Sequence, residues 1–464
     1  MIPSGATFFD FGCGRGGDIA ALAGVRVDAS GWDPAHSPGV AKRTADVVNL
    51  GYVVNVIEHP DERAQVLQEA WQLARRLLVV AARLDWDIKS SQAVSFADGV
   101  ITSRGTFQKF FTQEELQHWI QETLDVEADA AAPGVFYVFR TAEDRETHLA
   151  SVSRRRRYVQ ITPLPTLTFD QNREVLEPLL RFMSERGRPP APGELPEERS
   201  VVERLGSLTR AVKLLARVAD VQIWERTAVS RQRDLLVYLA LGAFRRRPQF
   251  SVLPADLRFD IKHFFGSYSA ATRIGKELLF GAGQQAAISE ESAKAPVGKL
   301  TPEALYVHVS SVGELPVLLR VYEGCARMLL GEVSGATVVK LRLDKPKVSY
   351  LCYPDFDDDP HPALKETFVA DLRALRTHHR NYGDSENPPI LHRKECFVSQ
   401  EYPLREMFAA LTRAEIEAGL LTDATDIGTR RAWQERLASR GLSVQGHELL
   451  KAHSTTSDLS LGGP

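Results

Sequence analysis

The chain has 464 residues, with 57 Lys and Arg against 60 Asp and Glu, and a formal net charge of -3. A hydrophobic fraction of 44% and a charged fraction of 25% are typical of a globular protein, and the length predicts two to four domains. The charge excludes a broadly cationic nucleic-acid coat, so any contact with DNA must be local.

The cysteines and the apolar runs indicate the cellular compartment. Cys13, Cys325, Cys352 and Cys396 lie far apart and form no CxxC pair, so the sequence indicates neither a disulfide framework nor a zinc cluster. No stretch approaches the ~18 apolar residues that cross a bilayer, and no signal peptide is recognisable. We therefore expect a cytoplasmic protein that does not contact a membrane.

Residues 1–142 alternate short apolar runs with helical patterns, which is typical of a parallel α/β sheet. Strands are predicted at 6–11, 25–32, 45–54, 78–84 and 135–139. Helices are predicted at 17–23, between 61 and 77 with Asp61 as the cap, and after Thr112, where Glu115 completes a capping box. This pattern predicts a Rossmann-like domain.

The remainder of the chain divides into segments of different character. Residues 143–162 are expected to be a linker, 163–296 a helical region, 297–453 a C-terminal α/β or α+β domain and 454–464 a disordered tail. In the C-terminal domain, strands are predicted at 304–309, 337–343, 348–353 and 390–398. Helices are predicted between them at 315–330, 362–379 and 405–418. Tyr322, Tyr350 and Trp433 are expected in the core.

The strongest functional motif is the turn DFGCGRGGD at residues 10–18, between the first strand and the first helix. Its glycines allow a sharp turn and let a ligand approach backbone amides at the helix N-terminus. Asp33 follows at about the distance at which a second-strand carboxylate meets ribose hydroxyls. The same string fits the G-x-G-x-x-G pattern of nicotinamide and flavin enzymes, but a carboxylate at Asp10 would repel a pyrophosphate and favours a methionine ammonium.

Residues 10–18, 31–34 and 45–58, with 107–111, 320–327, 353–357 and 390–395, resemble the methyltransferases found alongside bacterial DNA phosphorothioation systems. The resemblance runs over almost the whole chain. It implies a class I methyltransferase fold, S-adenosylmethionine as cofactor, and DNA or DNA-modification proteins as partners. It also implies roles for single residues: Asp10 near the cofactor ammonium; Gly12, Gly14 and Gly16 against its methionine part; Asp33 at the ribose; and Asn49 and Tyr52 as catalytic residues beside the methyl group.

The chain departs from the general methyltransferase pattern in three places. It has no Asp-Pro-Pro-Tyr or Asn-Pro-Pro-Tyr string, which argues against an enzyme that clamps a flipped base with that motif. Residues 34–44 leave no room for the usual third strand and its helix. The first strand begins close to Met1, so we expect either an upstream start or a helix within 172–185 that folds back over the sheet. These departures keep open a non-catalytic DNA-binding accessory protein.

Two constellations downstream suggest contacts with nucleic acid. The basic run at 154–157 could neutralise phosphates or be a solvated linker. Residues 186–211 resemble a helix-turn-helix repeat of homing-endonuclease-associated modules, in which Gly-Arg-Pro and Phe-Gly-Ser bracket a helix; here Leu205 replaces the aromatic residue. The segment could contact DNA or could serve helical packing alone.

A third constellation is acidic. Asp355, Asp357, Asp358, Asp359 and His361 follow a predicted strand, and His392, Lys394 and Glu395 lie further on. Such carboxylates could hold Mg²⁺ for phosphodiester cleavage, which keeps a nuclease as an alternative function. An acidic turn that caps a helix starting near Pro362 explains the same residues, so we predict no metal site.

Overall fold

The computed structural model describes residues 5–25, 27–87, 94–102, 105–152, 171–244, 248–422 and 427–451. The chain forms two compact units, Met1–Gln284 with Val317–Cys325, and Gln285–Pro316 with Ala326–Pro464. The basic run 154–157, the second half of the predicted linker and the tail 454–464 lie outside the described residues. Within those ranges, no helix has both the length and the hydropathy that a bilayer span requires.

The first unit begins with a mixed sheet of six strands in the order β2-β1-β3-β4-β9-β8. Strands β1 to β4 are parallel, and β9 is antiparallel to both of its neighbours. The strands are β1 Thr7–Phe11, β2 Asp28–Trp32, β3 Ala45–Gly51, β4 Ala74–Ala81, β8 Asp129–Ala132 and β9 Val135–Phe139. The expected α/β sheet of parallel strands is therefore confirmed.

Three helices pack on this sheet: α1 Gly17–Gly24, α2 Pro60–Leu73 and α3 Gln113–Leu124. The capping box of α3 is confirmed, since Thr112 Oγ1 accepts from the Glu115 amide at 3.1 Å. Asp61 is not the cap of α2, because the helix begins at Pro60 and Asp61 lies in its first turn. A small antiparallel sheet of β5 Val94–Phe96, β6 Gly99–Ile101 and β7 Phe107–Gln108 follows β4.

The strands of this sheet share a completely buried core. Phe9, Val48, Leu50, Leu78 and Phe136 are completely buried between the helices and the sheet. β4 begins at Ala74, earlier than predicted, because that residue already pairs with Ala45 of β3. Residues 33–44 contain only turns and bridges, so the predicted loss of a third strand and its helix is confirmed.

Helices dominate the rest of the first unit. They are α4 Ala142–Val152, α5 Arg173–Arg186, α6 Glu198–Leu205, α7 Leu208–Val218, α8 Val221–Leu241, α9 Ala255–Phe265 and α10 Tyr268–Ala282. Residues 143–152 were expected to be a linker, but they belong to α4, which buries Glu146 and Ala150. α5 buries Leu176, Leu179 and Met183 in a core of helices α5 to α8, and not against β1, where a covering helix was expected.

The second unit has an α+β architecture. After α11 Gln285–Ala293, its sheet runs in chain order and is antiparallel throughout: β10 Lys299–Leu300, β11 Ala304–His308, β12 Val338–Arg342, β13 Lys347–Cys352, β14 Glu366–Asp371 and β15 Arg376–Asn381. α12 Val317–Leu330 precedes β12, and its residues 317–325 belong to the first unit. α13 Arg405–Glu417, α14 Arg430–Ser439 and the hairpin of β16 Leu442–Gln445 with β17 Glu448–Lys451 follow the sheet.

Two predictions for this unit are wrong. Residues 362–379 are not a helix, because most of them form the hairpin of β14 and β15, in which Thr367, Phe368 and Val369 pair with β13. Residues 390–398 are not a strand; they contain a 3₁₀ turn at Lys394–Cys396. The aromatic residues Tyr322, Tyr350 and Trp433 are buried, as predicted.

Candidate active site

The glycine turn links the ends of β1 and β2. The amides of Gly12 and Cys13 both donate to the Trp32 carbonyl, at 2.7 and 3.1 Å. Gly12, Gly14 and Gly16 have φ of +90°, +52° and +77°, a region that side chains other than glycine rarely adopt. The chain thus needs glycine at these three positions to pass from β1 into α1.

Asp10 lies at the carboxyl end of β1 and is 3% exposed. It stands opposite Asn49 of β3 in the sheet, and Asn49 Nδ2 donates to Asp10 Oδ1 at 2.9 Å. Burial raises the pKa of Asp10; the hydrogen bond from Asn49 opposes this, and the charges of Asp18 and Asp33 add to it. A buried anion near other anions is stabilised by a cation, so this carboxylate favours a positively charged ligand group.

Asp33 lies directly after β2, as predicted, but its carboxylate accepts hydrogen bonds from nearby backbone amides. Oδ2 accepts from the Gly14 amide at 3.0 Å, and Oδ1 accepts from the amides of Ala35 and His36, both at 2.8 Å. Burial opposes ionisation, but the hydrogen bonds from His36, Ala35 and Gly14 outweigh it and hold the pKa of Asp33 below its usual value. Asp33 therefore fixes the glycine turn, and its contact with a ribose stays a prediction.

The two predicted catalytic residues have different surroundings. Asn49 is bound to Asp10 and so positions that carboxylate. Tyr52 follows β3 with φ +57°; its amide donates to the Ala81 carbonyl at 2.8 Å, and its side chain is 57% exposed. The structure brings Asn49 to Asp10 and leaves Tyr52 accessible at the end of β3. Their roles beside a methyl group remain predictions.

Asn55 is a residue that the sequence reasoning missed. It is 1% exposed, its Nδ2 donates to the Lys109 carbonyl, and its Oδ1 accepts from the Arg83 amide at 2.9 Å. The side chain thereby joins the segments that follow β3, β4 and β7. In the sequence, Asn55 is the single amide side chain in the apolar run 53–57. A buried amide normally has hydrogen-bond partners, so this position could have been recognised as structural.

The short segment between β2 and β3 is held by basic side chains. Lys42 Nζ lies 4.1 Å from the centre of the Trp32 ring and 2.7 Å from Glu69 Oε2. Arg43 donates to Ser30 and lies 2.9 Å from Asp28 Oδ1. The chain thus returns to the sheet without the helix that usually covers this region.

Residues 186–211 form a packing corner and then a helix-turn-helix. Gly187 has φ +65°, and a Cβ there would lie 2.2 Å from the Ala228 amide. Arg188 is fully buried; its guanidinium contacts Asp260 at 2.6 Å and Glu194 at 2.7 Å. The Gly-Arg-Pro start of the motif is therefore structural, and Arg188 cannot reach a phosphate.

The second helix of the motif carries a basic surface. α6 and α7 are joined by Gly206 and by Ser207, whose Oγ caps α7 by accepting from the Arg210 amide at 3.2 Å. Arg210, Lys213 and Arg217 are exposed, and their spacing places them on one side of α7. We call these three residues the basic face of α7.

Among the described residues, the carboxylates of the acidic loop after β13 do not converge into a group of three possible ligands. Asp355, Asp357 and Asp358 are exposed, and Asp357 Oδ1 accepts from the Tyr402 hydroxyl at 2.7 Å. No helix starts at Pro362, so the predicted cap is wrong as well. Lys394 Nζ donates to the carbonyls of Phe356 and Asp359, at 2.6 and 2.7 Å, and so holds the loop closed.

Two solved structures similar to this chain are methyltransferases with the cofactor or its product bound. One is the 1,6-didemethyltoxoflavin-N1-methyltransferase of Burkholderia thailandensis with 1,6-didemethyltoxoflavin and S-adenosylhomocysteine, at 15% identity over 29% of this chain and 71% of that chain, with a TM-score of 0.23. The other is an amino pentose methyltransferase of calicheamicin biosynthesis from Micromonospora echinaspora with S-adenosylmethionine, at 16% identity over 30% and 85%, with a TM-score of 0.24. No protein-family model and no curated protein matches the sequence.

Proposed function

We propose that the sheet of the first unit binds S-adenosylmethionine and transfers its methyl group, in the cytoplasm. The observation that carries the proposal is the buried carboxylate of Asp10 under a turn of three left-handed glycines. This arrangement suits the α-ammonium of a methionine and is unfavourable for the pyrophosphate of a dinucleotide. The resemblance of residues 10–18 and 45–58 supports the same cofactor.

In this proposal each residue has a defined task. The turn of Gly12, Gly14 and Gly16 carries the methionine part, and Asp10 pairs with its ammonium. Asp33, with Oδ2 accepting one amide, has a lone pair left for a ribose hydroxyl. The bound cofactor would supply a methyl group to an acceptor near Tyr52, and S-adenosylhomocysteine would be the leaving group. The protein contributes alignment and needs no covalent intermediate.

Calorimetry on the full chain with S-adenosylmethionine and S-adenosylhomocysteine tests this proposal. A charge-assisted hydrogen bond contributes about 1.5–3 kcal/mol, so Asp10→Asn should raise the Kd for both ligands by roughly ten- to 150-fold. The matched control is Asp28→Asn, an exposed carboxylate on β2, which should leave the Kd unchanged. Absence of binding by the folded wild type at millimolar ligand, or tighter binding of NAD, would refute the proposal.

We further propose DNA, or a protein bound to DNA, as the methyl acceptor. The basic face of α7 supports this, because the second helix of such a motif is the one that enters the major groove. The resemblance adds the phosphorothioation setting, so duplexes with and without a phosphorothioate linkage are the substrates to compare.

Salt dependence of binding tests the DNA contact. Arg210→Gln with Lys213→Gln should make the negative slope of log K against log salt less steep by about 2, since each lost phosphate contact removes about 0.9. Arg273→Gln with Lys276→Gln, two exposed cations on α10, is the control and should keep the slope. Equal slopes for both variants would exclude α7 as the DNA contact.

A non-catalytic accessory protein is the second candidate function. The segment 33–44 favours this candidate. It contains no helix and no third strand, so the proposed cofactor pocket is not covered on that side. In that case Asp10→Asn leaves the cellular phenotype of the locus intact, while the α7 double variant abolishes it. Loss of the phenotype with Asp10→Asn would favour the enzyme.

A further inference from the structure

Three side chains that can ligate a metal meet in the second unit. His361 follows the acidic loop, His392 precedes the 3₁₀ turn, and Glu415 lies on α13. One ligand atom from each lies within 4.8 Å of the others. Among the residues that the structure describes, this is the one group of at least three His, Cys, Asp or Glu side chains with such convergence.

The cluster is enclosed by the protein. The side chains of His361 and Glu415 are 8% and 1% exposed. The indole of Trp433 lies 4.7 Å from each of the two imidazole centres. Polar groups in such surroundings normally have hydrogen-bond partners, and an unsatisfied one costs about 1–3 kcal/mol.

Two polar atoms of the cluster, His392 Nδ1 and Glu415 Oε1, lack such a partner. His392 Nε2 lies 2.8 Å from the Ile427 carbonyl and must donate to it, so Nδ1 carries the free lone pair; Nδ1 is buried and has no hydrogen bond. Glu415 Oε1 lies 2.7 Å from His361 Nε2, yet the orientation does not meet hydrogen-bond geometry. A metal-bound histidine usually donates its second ring N–H to a carbonyl, as His392 does here.

We propose that His361, His392 and Glu415 form a binding site for a divalent transition-metal ion, with Zn²⁺ as the best match. Two imidazoles with one carboxylate bind zinc in sites that keep one coordination position for water. Magnesium and calcium prefer oxygen ligands alone, so the two imidazoles select against them. The ligand atoms of a tetrahedral zinc lie roughly 3.4 Å apart, so the widest separation must close by about 1.4 Å on binding.

A bound ion would join three separate chain segments and should therefore stabilise the second unit.

Metal titration of the full chain tests the site. After removal of metal with EDTA, calorimetry with ZnCl₂ should show one tight site, and metal analysis after dialysis should show one equivalent retained. Zn²⁺ should raise the Tm of the wild type. His392→Gln and Glu415→Gln should each weaken Zn²⁺ binding more than tenfold and remove this rise in Tm. His378→Gln changes an exposed histidine on β15 and should behave as the wild type.

The competing outcomes are distinguishable. Absence of a tight Zn²⁺ site in the wild type, unchanged affinity in both variants, or equal binding of MgCl₂ would overturn the proposal. Circular dichroism of the metal-free variants reports folding; Glu415→Gln keeps the side-chain size and carries the test if His392→Gln does not fold. Co²⁺ absorption then reports ligation directly, because loss of the carboxylate changes the visible spectrum of the wild-type complex.

Discussion

Gly12 and Gly14 share a left-handed backbone, but they differ in the space around them. A Cβ on Gly12 would lie 2.3 Å from Val53 Cγ2, whereas a Cβ on Gly14 meets nothing within 4 Å. Left-handed φ costs an alanine about 1–2 kcal/mol at either position. Overlap with Val53 adds about 1–3 kcal/mol at Gly12 alone. Gly12→Ala should therefore destabilise the first unit by about 2–5 kcal/mol, and Gly14→Ala by about 1–2 kcal/mol.

Native-state hydrogen exchange of peptides from β1 measures this difference locally, which suits a chain of two units better than a global unfolding curve. The double variant Gly12→Ala/Val53→Ala removes the overlapping methyl group. Its destabilisation should be smaller than the sum of the two single substitutions, because the residues are in contact. Equal effects of Gly12→Ala and Gly14→Ala, or strict additivity in the double variant, would refute the steric reasoning.

Three further predictions concern buried and capping side chains. Arg188→Met removes the guanidinium that contacts both Glu194 and the buried Asp260, and should lower the free energy of unfolding by about 3 kcal/mol in urea titrations. Burial lowers the pKa of His308 to about 4. As the pH falls, His308 is therefore protonated in the unfolded chain before it is protonated in the folded chain, so the free energy of unfolding decreases between about pH 6.5 and pH 4. His308→Gln should make this decrease smaller by about 3 kcal/mol. Unfolding measured at several pH values gives the difference. Thr112→Ala should cost α3 about 1 kcal/mol, measured by the same titration.

Each of these predictions has a control. Arg199→Met changes an arginine on α6 whose side chain is 90% exposed, and should shift stability by less than about 0.5 kcal/mol. His378→Gln, an exposed histidine, should leave the pH dependence unchanged. Thr112→Ser keeps the capping hydroxyl and should be nearly neutral. A control that equals its test variant would contradict the corresponding assignment.

The parallel strands and the glycine turn could be predicted from the sequence because their signals are local. Residues 6–11 and 45–54 are short apolar runs, and the turn needs glycine for its backbone angles. The contact between Asn49 and Asp10 depends on the register of β1 with β3, which no local pattern encodes. The sequence therefore identified the candidate site residues, but it did not reveal that Asn49 donates a hydrogen bond to Asp10.

Long-range contacts explain the remaining errors. Residues 362–379 were predicted to form a helix, yet pairing of β14 with β13 overrides that local preference. The sequence left residues 186–211 open between DNA contact and helical packing, because Asp260, the buried partner of Arg188, lies 72 residues away. The three ligands of the proposed metal site come from separate segments, and the sequence contains no spacing motif that unites them.

The short segment after β2 leaves that strand at the edge of the sheet. β2 is an edge strand, with unpaired backbone groups where a third strand would normally lie, and such edges invite intermolecular pairing. Here the strand has only five residues, and the ion pair of Asp28 with Arg43 places charge beside it. Short length and charge both discourage the addition of a foreign strand. Both features should therefore reduce intermolecular strand pairing at the edge strand β2.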